Sequence, residues 1–523
     1  MNQLIADLER SLPGYISSRR WFRAKARAIR QVEVKDVIEA PGNGFFILIA
    51  GVHYHDSGSD EYLLPVAIAW NAKEHEEAIG IVSEGSGGRE GVAYNALLDE
   101  PVRNALLGAV AREEALPGRN SILRATRTSA FAPLLPLAAG PPDSFLSRAE
   151  QSNTSIIYRD RFILKLFRKL EAGVNPDIEI GRFLTERGFR FTPAVYGSLE
   201  YQRVGDAPHA AALLQQFVAN RGDAWKYTLD SLSEYFPRAF ASEGKALPEL
   251  PTQHPLELAE RDAPPGVRAL LGEYYASAQL LGTRTAEMHA ALADPNGGPD
   301  FAPEPFTAAD ARSLYEETRT QASGAFDLLR LMLPTMNAEA AADARAVLEF
   351  EPRIFERLAA LQDASSNGAL RIRLHGDYHL GQVLYTGHDF MIVDFEGEPA
   401  RPLTERRAKA LAMRDVAGML RSFQYAAYAA LFGQVPGISP EAVESHRVER
   451  WSAFWTAWIG AAFLRAYLER ARPFSYLSPQ PAARRLTLDA FLLQKAVYEV
   501  SYELNNRPDW VRIPLRGILG LIA

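Results

Sequence analysis

Two short segments of this chain, read together, constrain it more than any other feature. Residues 373–382 read Arg-Leu-His-Gly-Asp-Tyr-His-Leu-Gly-Gln, and residues 390–399 read Phe-Met-Ile-Val-Asp-Phe-Glu-Gly-Glu-Pro. The first is a strand-to-loop passage that presents Asp377 after His-Gly and brings the carboxamide of Gln382 five residues later. The second is a short apolar strand that delivers Asp394 at its end. Phosphoryl transfer asks little more of a protein than this: a carboxylate that orients the attacking hydroxyl and takes its proton, and oxygen ligands for the Mg²⁺ that bridges the phosphates. Asp377 suits the first task. Gln382 and Asp394 suit the second, with Glu396 as a further metal-ligand candidate.

The order and spacing resemble the protein-kinase-like pattern of catalytic-loop Asp, metal-binding amide and Asp-Phe-Gly, here with Asp-Phe-Glu at the last position. That pattern directs attention to lysines, which are scarce. Only nine of the 57 basic residues are Lys. Lys165 emerges from the apolar run Phe162 to Phe167, where alternation puts it with Ile163 and Phe167 on one face, and it is the expected ammonium for nucleotide phosphates. Its expected carboxylate partner is Glu179, in a helix that begins with the turn residues Asn175 and Pro176. Ahead of Lys165, Ser152, Asn153 and Thr154 occupy the place of a phosphate-binding loop, without glycine. The apolar strand 212–218 is expected to offer its backbone to adenine at Gln216 and Val218.

Bulk properties narrow the function classes. A chain of 523 residues exceeds what one core usually serves. With 47% hydrophobic and 23% charged residues it reads as globular rather than disordered. A formal charge of -7 gives no basic footprint for nucleic acid. The absence of cysteine excludes disulfides, thiolate nucleophiles and zinc–thiolate sites. No signal peptide or membrane span is legible, so the expected location is the cytoplasm.

Along the chain, short alternating runs up to about Gly91 predict a small β-rich unit, and residues 92–114 turn helical. Thr154–Tyr158 and Arg161–Phe167 flank Arg159-Asp160 as a hairpin. From Ala219 onward helical periodicity dominates, with 247–266 a Pro-rich loop. The expected domains are 1–91, 92–218 and 219–523.

Three further groups of residues extend the pattern to a named family. His375 to Gln382 and Asp394 to Pro402, with Arg414 to Phe423, resemble bacterial maltokinases, including the kinase half of trehalose synthase fusions. The resemblance returns at 19–22 (Arg-Arg-Trp-Phe), 150–155, 175–179 and 498–508. Related aminoglycoside phosphotransferases share the catalytic Asp but usually carry Asn where this chain has Gln382. The resemblance implies an α+β, bilobal protein-kinase-like fold with an N-terminal β-rich cap subdomain and a large, mostly helical C-lobe. It also implies ATP and Mg²⁺ as cofactors, and transfer to the anomeric hydroxyl of maltose to give maltose 1-phosphate for α-glucan metabolism. Association with a trehalose synthase is left open.

The acceptor pocket can also be argued from residues alone. Lys495, Tyr498, Glu499, Tyr502 and Glu503 share one helical face, opposite Ala496, Val497, Val500 and Leu504. Aromatic plates beside charged hydrogen-bonding groups suit the CH faces and hydroxyl edges of a sugar. His379 joins them as an expected substrate contact. Arg414 and Asp415 read as structural, Asp415 as a helix cap. Two alternatives stand beside maltose: another acceptor such as glucosamine or an aminoglycoside, and a non-catalytic sugar-binding regulatory module.

Overall fold

A computed structural model describes residues 2–40, 44–85, 88–135, 143–147, 153–243, 249–362, 368–444 and 446–522. The chain divides by its internal contacts after Ala219 into an N-terminal and a C-terminal unit. Among the described residues no helix is long and apolar enough to cross a membrane.

The N-terminal unit contains two antiparallel sheets. The first uses β1 (Ile29–Ala40), β2 (Phe45–Tyr54), β3 (Ser59–Trp70), β4 (Ala78–Ser83) and β5 (Glu90–Asn95), in the order β1-β2-β3-β5-β4. Its strands are apolar on both faces, and the structure shows why. Leu48 and Ala50 of β2 face a cluster formed with Leu4, Leu8, Leu12 and Ile16 of the helix Asn2–Ser18. Ile47 and Ile49 face the other way, into a core shared with Leu106, Leu107 and Val110 of the helix Glu100–Arg112 and with the second sheet. Period-two alternation therefore sorts one strand into two cores.

The second sheet uses β6 (Ala115–Pro117), β7 (Ser121–Arg127), β8 (Ser144–Leu146), β9 (Asn153–Tyr158), β10 (Phe162–Phe167), β12 (Val195–Arg203) and β13 (His209–Gln216), while β11 (Lys169–Leu170) leaves it to pair with β3 of the first. The predicted β9–β10 hairpin is present, with Phe162 opposite Tyr158. Arg159 and Asp160 both adopt positive φ, 45° and 50°, as a two-residue turn matched to strand twist requires. Residues 92–95 complete β5 instead of starting a helix, which begins only at Glu100 behind its N-cap position Asp99.

Where β10 passes into β11, Arg168 is buried. Its Nε donates to Thr154 Oγ1 (2.9 Å), its guanidinium lies 5.4 Å from the Trp21 ring centroid, and its carbonyl accepts from Leu63 N (2.8 Å). Trp21 belongs to the Arg-Arg-Trp-Phe run. That run is thus bonded into the strand system that carries Lys165.

The C-terminal unit is mostly helical. The helix Met413–Tyr428 packs against Arg447–Ala471 and Pro481–Asn506, and Ala308–Met332 packs on the last of these. Two small antiparallel pairs interrupt the helices: β14 (Glu304–Pro305) with β15 (Leu370–Arg371), and β16 (Val383–Tyr385) with β17 (Phe390–Ile392). The Pro-rich stretch contains short helices at Pro255–Ala259 and Pro265–Leu271, each with proline at its start, so proline there opens helices rather than preventing them.

Candidate active site

In the C-terminal unit, Asp377 sits on a loop between β15 and β16 that is tied from several sides. Gly376, at φ 86°, makes the turn a β-carbon would oppose. The Asp415 carboxylate accepts from His375 N (2.9 Å), Gly376 N (3.0 Å) and His289 Nε2 (3.1 Å). Asp415 is fully interior, and the Met413–Tyr428 helix has no side-chain cap bond, so the expected helix cap is instead an anchor for the loop. Burial alone would raise the Asp415 carboxyl, but the His289 hydrogen bond and the charge and amide contacts of its histidine neighbours hold it below the ordinary carboxylate range.

His375 links this loop to the strand bearing Asp394. Its Nδ1 accepts from Asp377 N (3.4 Å), which leaves Nε2–H to donate to the Val393 carbonyl (2.9 Å). Asp394 follows with φ 68°, a left-handed conformation rare for a residue with a side chain and most often retained where function demands it. One carboxylate oxygen of Asp394 lies within 4.8 Å of one of Glu396. Gln382 ends a single 3-10 turn, Leu380–Gln382, whose first amides are capped by His379: Nδ1 accepts from Gly381 N (3.0 Å). The other ring nitrogen of His379 is 3.8 Å from Asp377 Oδ2.

The loop rests on the helix Met413–Tyr428 at Gly418. A β-carbon there would stand 2.6 Å from the Tyr378 carbonyl oxygen. Gly418→Ala should therefore lower stability by about 1–3 kcal/mol through overpacking. A thermal melt of the variant matching that of the parent would show that the loop yields freely.

Asp377 opens onto a cleft lined by Glu398, Arg401, Arg414, Gln494, Lys495 and Tyr498 among others. Lys495 Nζ lies 3.5 Å from Asp377 Oδ1 and 4.9 Å from the Tyr498 ring centroid. Burial and the Glu398 carboxylate push the Tyr498 hydroxyl well above its ordinary value. Glu398 in turn accepts from Arg401 Nε (2.8 Å) and stands 3.7 Å from Arg414. Arg414 is thus a lining residue and not only a structural one.

The expected sugar face on the helix Pro481–Asn506 splits. Lys495 and Tyr498 reach the cleft, but Glu499 is buried and accepts from Arg421 Nε (2.9 Å). Glu503 is buried too, held by Arg507 (2.8 Å), and burial raises its carboxyl. Both acids compensate interior or neighbouring arginines and are withdrawn from the acceptor contacts. Tyr502 is exposed, stacked on Tyr498 with centroids 6.4 Å apart, and does not line the cleft.

In the N-terminal unit, Lys165 Nζ is 3.0 Å from Asp177 Oδ2. Asp177 is two residues ahead of the expected Glu179 in the first turn of the helix Pro176–Glu186, whose N-cap Asn175 accepts from the amides of Asp177 and Ile178. Asn153 and Thr154 lie within β9 rather than in a loop, and the Thr154 hydroxyl is interior and engaged by Arg168, which removes it from the phosphate contacts. Ser152 falls outside the described residues. Gln216 closes β13, with Val218 beyond it, and the neighbouring Phe217 N donates to the Arg161 carbonyl (2.9 Å).

A family model described as the maltokinase N-terminal cap domain matches residues 15–99, the span of the first sheet. Residues 15–99 thus resemble a maltokinase cap domain. A glucosamine kinase of Mycolicibacterium smegmatis is 26% identical over 373 residues, covering 71% of this chain and 78% of the relative. One from Streptacidiphilus jiangxiensis is 25% identical over 377 residues, covering 71% and 72%. Among solved structures, glucosamine kinase in complex with glucosamine, ADP and inorganic phosphate aligns with TM-score 0.61 at 20% identity, over 98% of this chain and 99% of that one. Glucosamine kinase in crystal form B gives 0.62 at 20% identity, over 97% and 99%. The chain therefore shares the α+β fold of these glucosamine kinase structures.

Proposed function

We propose that this chain is an ATP-dependent sugar kinase whose preferred acceptor is the anomeric hydroxyl of maltose, with maltose 1-phosphate and ADP as products. The observation that carries the reading is Asp377, held on an anchored loop at the mouth of a polar cleft, with Lys495 at 3.5 Å. Asp377 orients the sugar hydroxyl and takes its proton as the bond to phosphorus forms. Lys165, paired with Asp177, is assigned to the nucleotide phosphates. The oxygen donors of Asp394 and Glu396, with Gln382, fit Mg²⁺, a hard cation that takes oxygen ligands. Bound there, Mg²⁺ would neutralise phosphate charge.

Charge in the cleft bears on the acceptor. The carboxylates of Asp377, Glu398 and Asp415 are matched by Arg401, Arg414 and Lys495. A polycationic aminoglycoside would call for a strongly acidic surface, and none is present in this cleft. A neutral sugar meets no such requirement. Glucosamine is the second reading, favoured by the names of both relatives.

ADP release should be followed with maltose, glucose, glucosamine and kanamycin in turn. The expected order places maltose first and kanamycin at background. A faster rate with glucosamine would transfer the assignment to that sugar, and no turnover with any of them would favour a sugar-binding regulatory role.

A further inference from the structure

Among the described residues, one side chain lining the cleft beside Asp377 carries a polar atom with no hydrogen-bond partner. Gln321 projects from the helix Ala308–Met332 into the lining, and its carboxamide oxygen is buried without a hydrogen-bond donor. Leaving an acceptor in that condition costs about 1–3 kcal/mol, and native proteins carry few such groups. The other lining carboxamide is committed, since Gln494 Nε2 donates to the interior Thr318 Oγ1 (2.9 Å). One turn before Gln321, Glu317 is likewise engaged, by Arg401 Nη1 at 2.5 Å. Gln321 is thus a buried acceptor among neighbours that are already satisfied.

We infer that Gln321 is a specificity-determining residue, whose carboxamide oxygen accepts a hydrogen bond from a second, non-reacting hydroxyl of the acceptor. The inference rests on the sugar-kinase reading and sharpens it. The reacting hydroxyl belongs to Asp377, and a substrate with one hydroxyl would bring no donor to Gln321. A polyhydroxy acceptor satisfies both groups, so the cleft discriminates against simple amino alcohols without any clash. Discrimination of this kind is strong because a site built to bond a hydroxyl rejects the analogue that lacks it.

The test compares wild type with Gln321→Leu and Gln321→Glu. The substrate is whichever of maltose, glucose and glucosamine the wild type phosphorylates fastest, together with its monodeoxy analogues. Wild type should lose about tenfold in kcat/KM with one deoxy analogue, roughly the value of one hydrogen bond to a buried acceptor. Gln321→Leu should lose a similar factor with the parent sugar, treat parent and that analogue alike, and keep the wild-type KM for ATP. Gln321→Glu retains an acceptor oxygen and should keep the preference. Calorimetric titration of the same sugars without ATP reads the same pattern in Kd, independently of turnover. Unchanged kcat/KM and Kd in Gln321→Leu, or equal losses with every analogue, would overturn the assignment to Gln321. Sugar binding that follows the expected pattern without any phosphorylation would uphold it while overturning the kinase reading. Absence of both binding and turnover in wild type would overturn both.

Discussion

Asp377→Asn should lower kcat by about 10²–10⁴-fold, the range typical of a lost proton acceptor, while leaving nucleotide affinity and the melting temperature close to those of the parent. Asparagine has nearly the same shape, and the loop does not depend on the Asp377 carboxylate for its position. That position comes from Asp377 N on His375 Nδ1 and from Asp415 beneath the two preceding amides. The Asp377–Lys495 contact adds little to stability because it is partly exposed. What the substitution removes is a negative charge and a proton acceptor next to the attacking hydroxyl. Steady-state kinetics with ADP detection, alongside nucleotide titration, checks the split. Full turnover in Asp377→Asn would end the assignment.

Asp415→Ala should be the most damaging single change to the fold of the C-terminal unit. It strands the amides of His375 and Gly376 and the Nε2 of His289 in the interior, a loss of about 3–5 kcal/mol. Because the Asp415 carboxylate is spent on these three donors, turnover should fall through displacement of Asp377, and the surviving activity should show a raised KM as well. The same carboxylate predicts an acid limit. Its folded pKa lies below the unfolded value, so its contribution is complete above the ordinary carboxylate range and disappears as pH falls through the depressed value. Urea melts at neutral pH and at pH 3 should show a smaller difference between parent and Asp415→Ala at the lower pH. A variant as stable as the parent at neutral pH would rule out the anchoring role.

How much of this was legible in the sequence depends on distance along the chain. Asp377, Gln382 and Asp394 could be singled out as candidates because their spacing within one loop and one strand is itself the pattern. The β9–β10 hairpin was readable because its turn residues are adjacent. Asp177, whose carboxylate is 3.0 Å from Lys165, was not singled out, because the angle at which a helix leaves its N-cap decides how near its first-turn acids come to a lysine on a separate strand. Glu499 and Glu503 share a helical face with Lys495 and Tyr498 in projection, but Arg421 and Arg507 engage them; the Glu503–Arg507 pair at i,i+4 was open to a local reading, whereas no local pattern discloses Arg421, 78 residues from Glu499. Gln321 carries no motif at all. Its signal is an unsatisfied atom, which exists only once neighbouring helices have packed.

Arg168 has a consequence for how far this chain can be reduced. Its guanidinium spans the Trp21 ring, in the connection leading into the first sheet, and the Thr154 hydroxyl of the second, three residues past Lys165. The cap is therefore not a detachable accessory. A version trimmed to the second sheet and the C-terminal unit would leave a buried cation stripped of its indole face and of the Leu63 carbonyl. It would also free an unpaired edge at β11, four residues from the lysine assigned to the nucleotide. A minimal form of this chain is expected to need Trp21 and β3 as well as the second sheet.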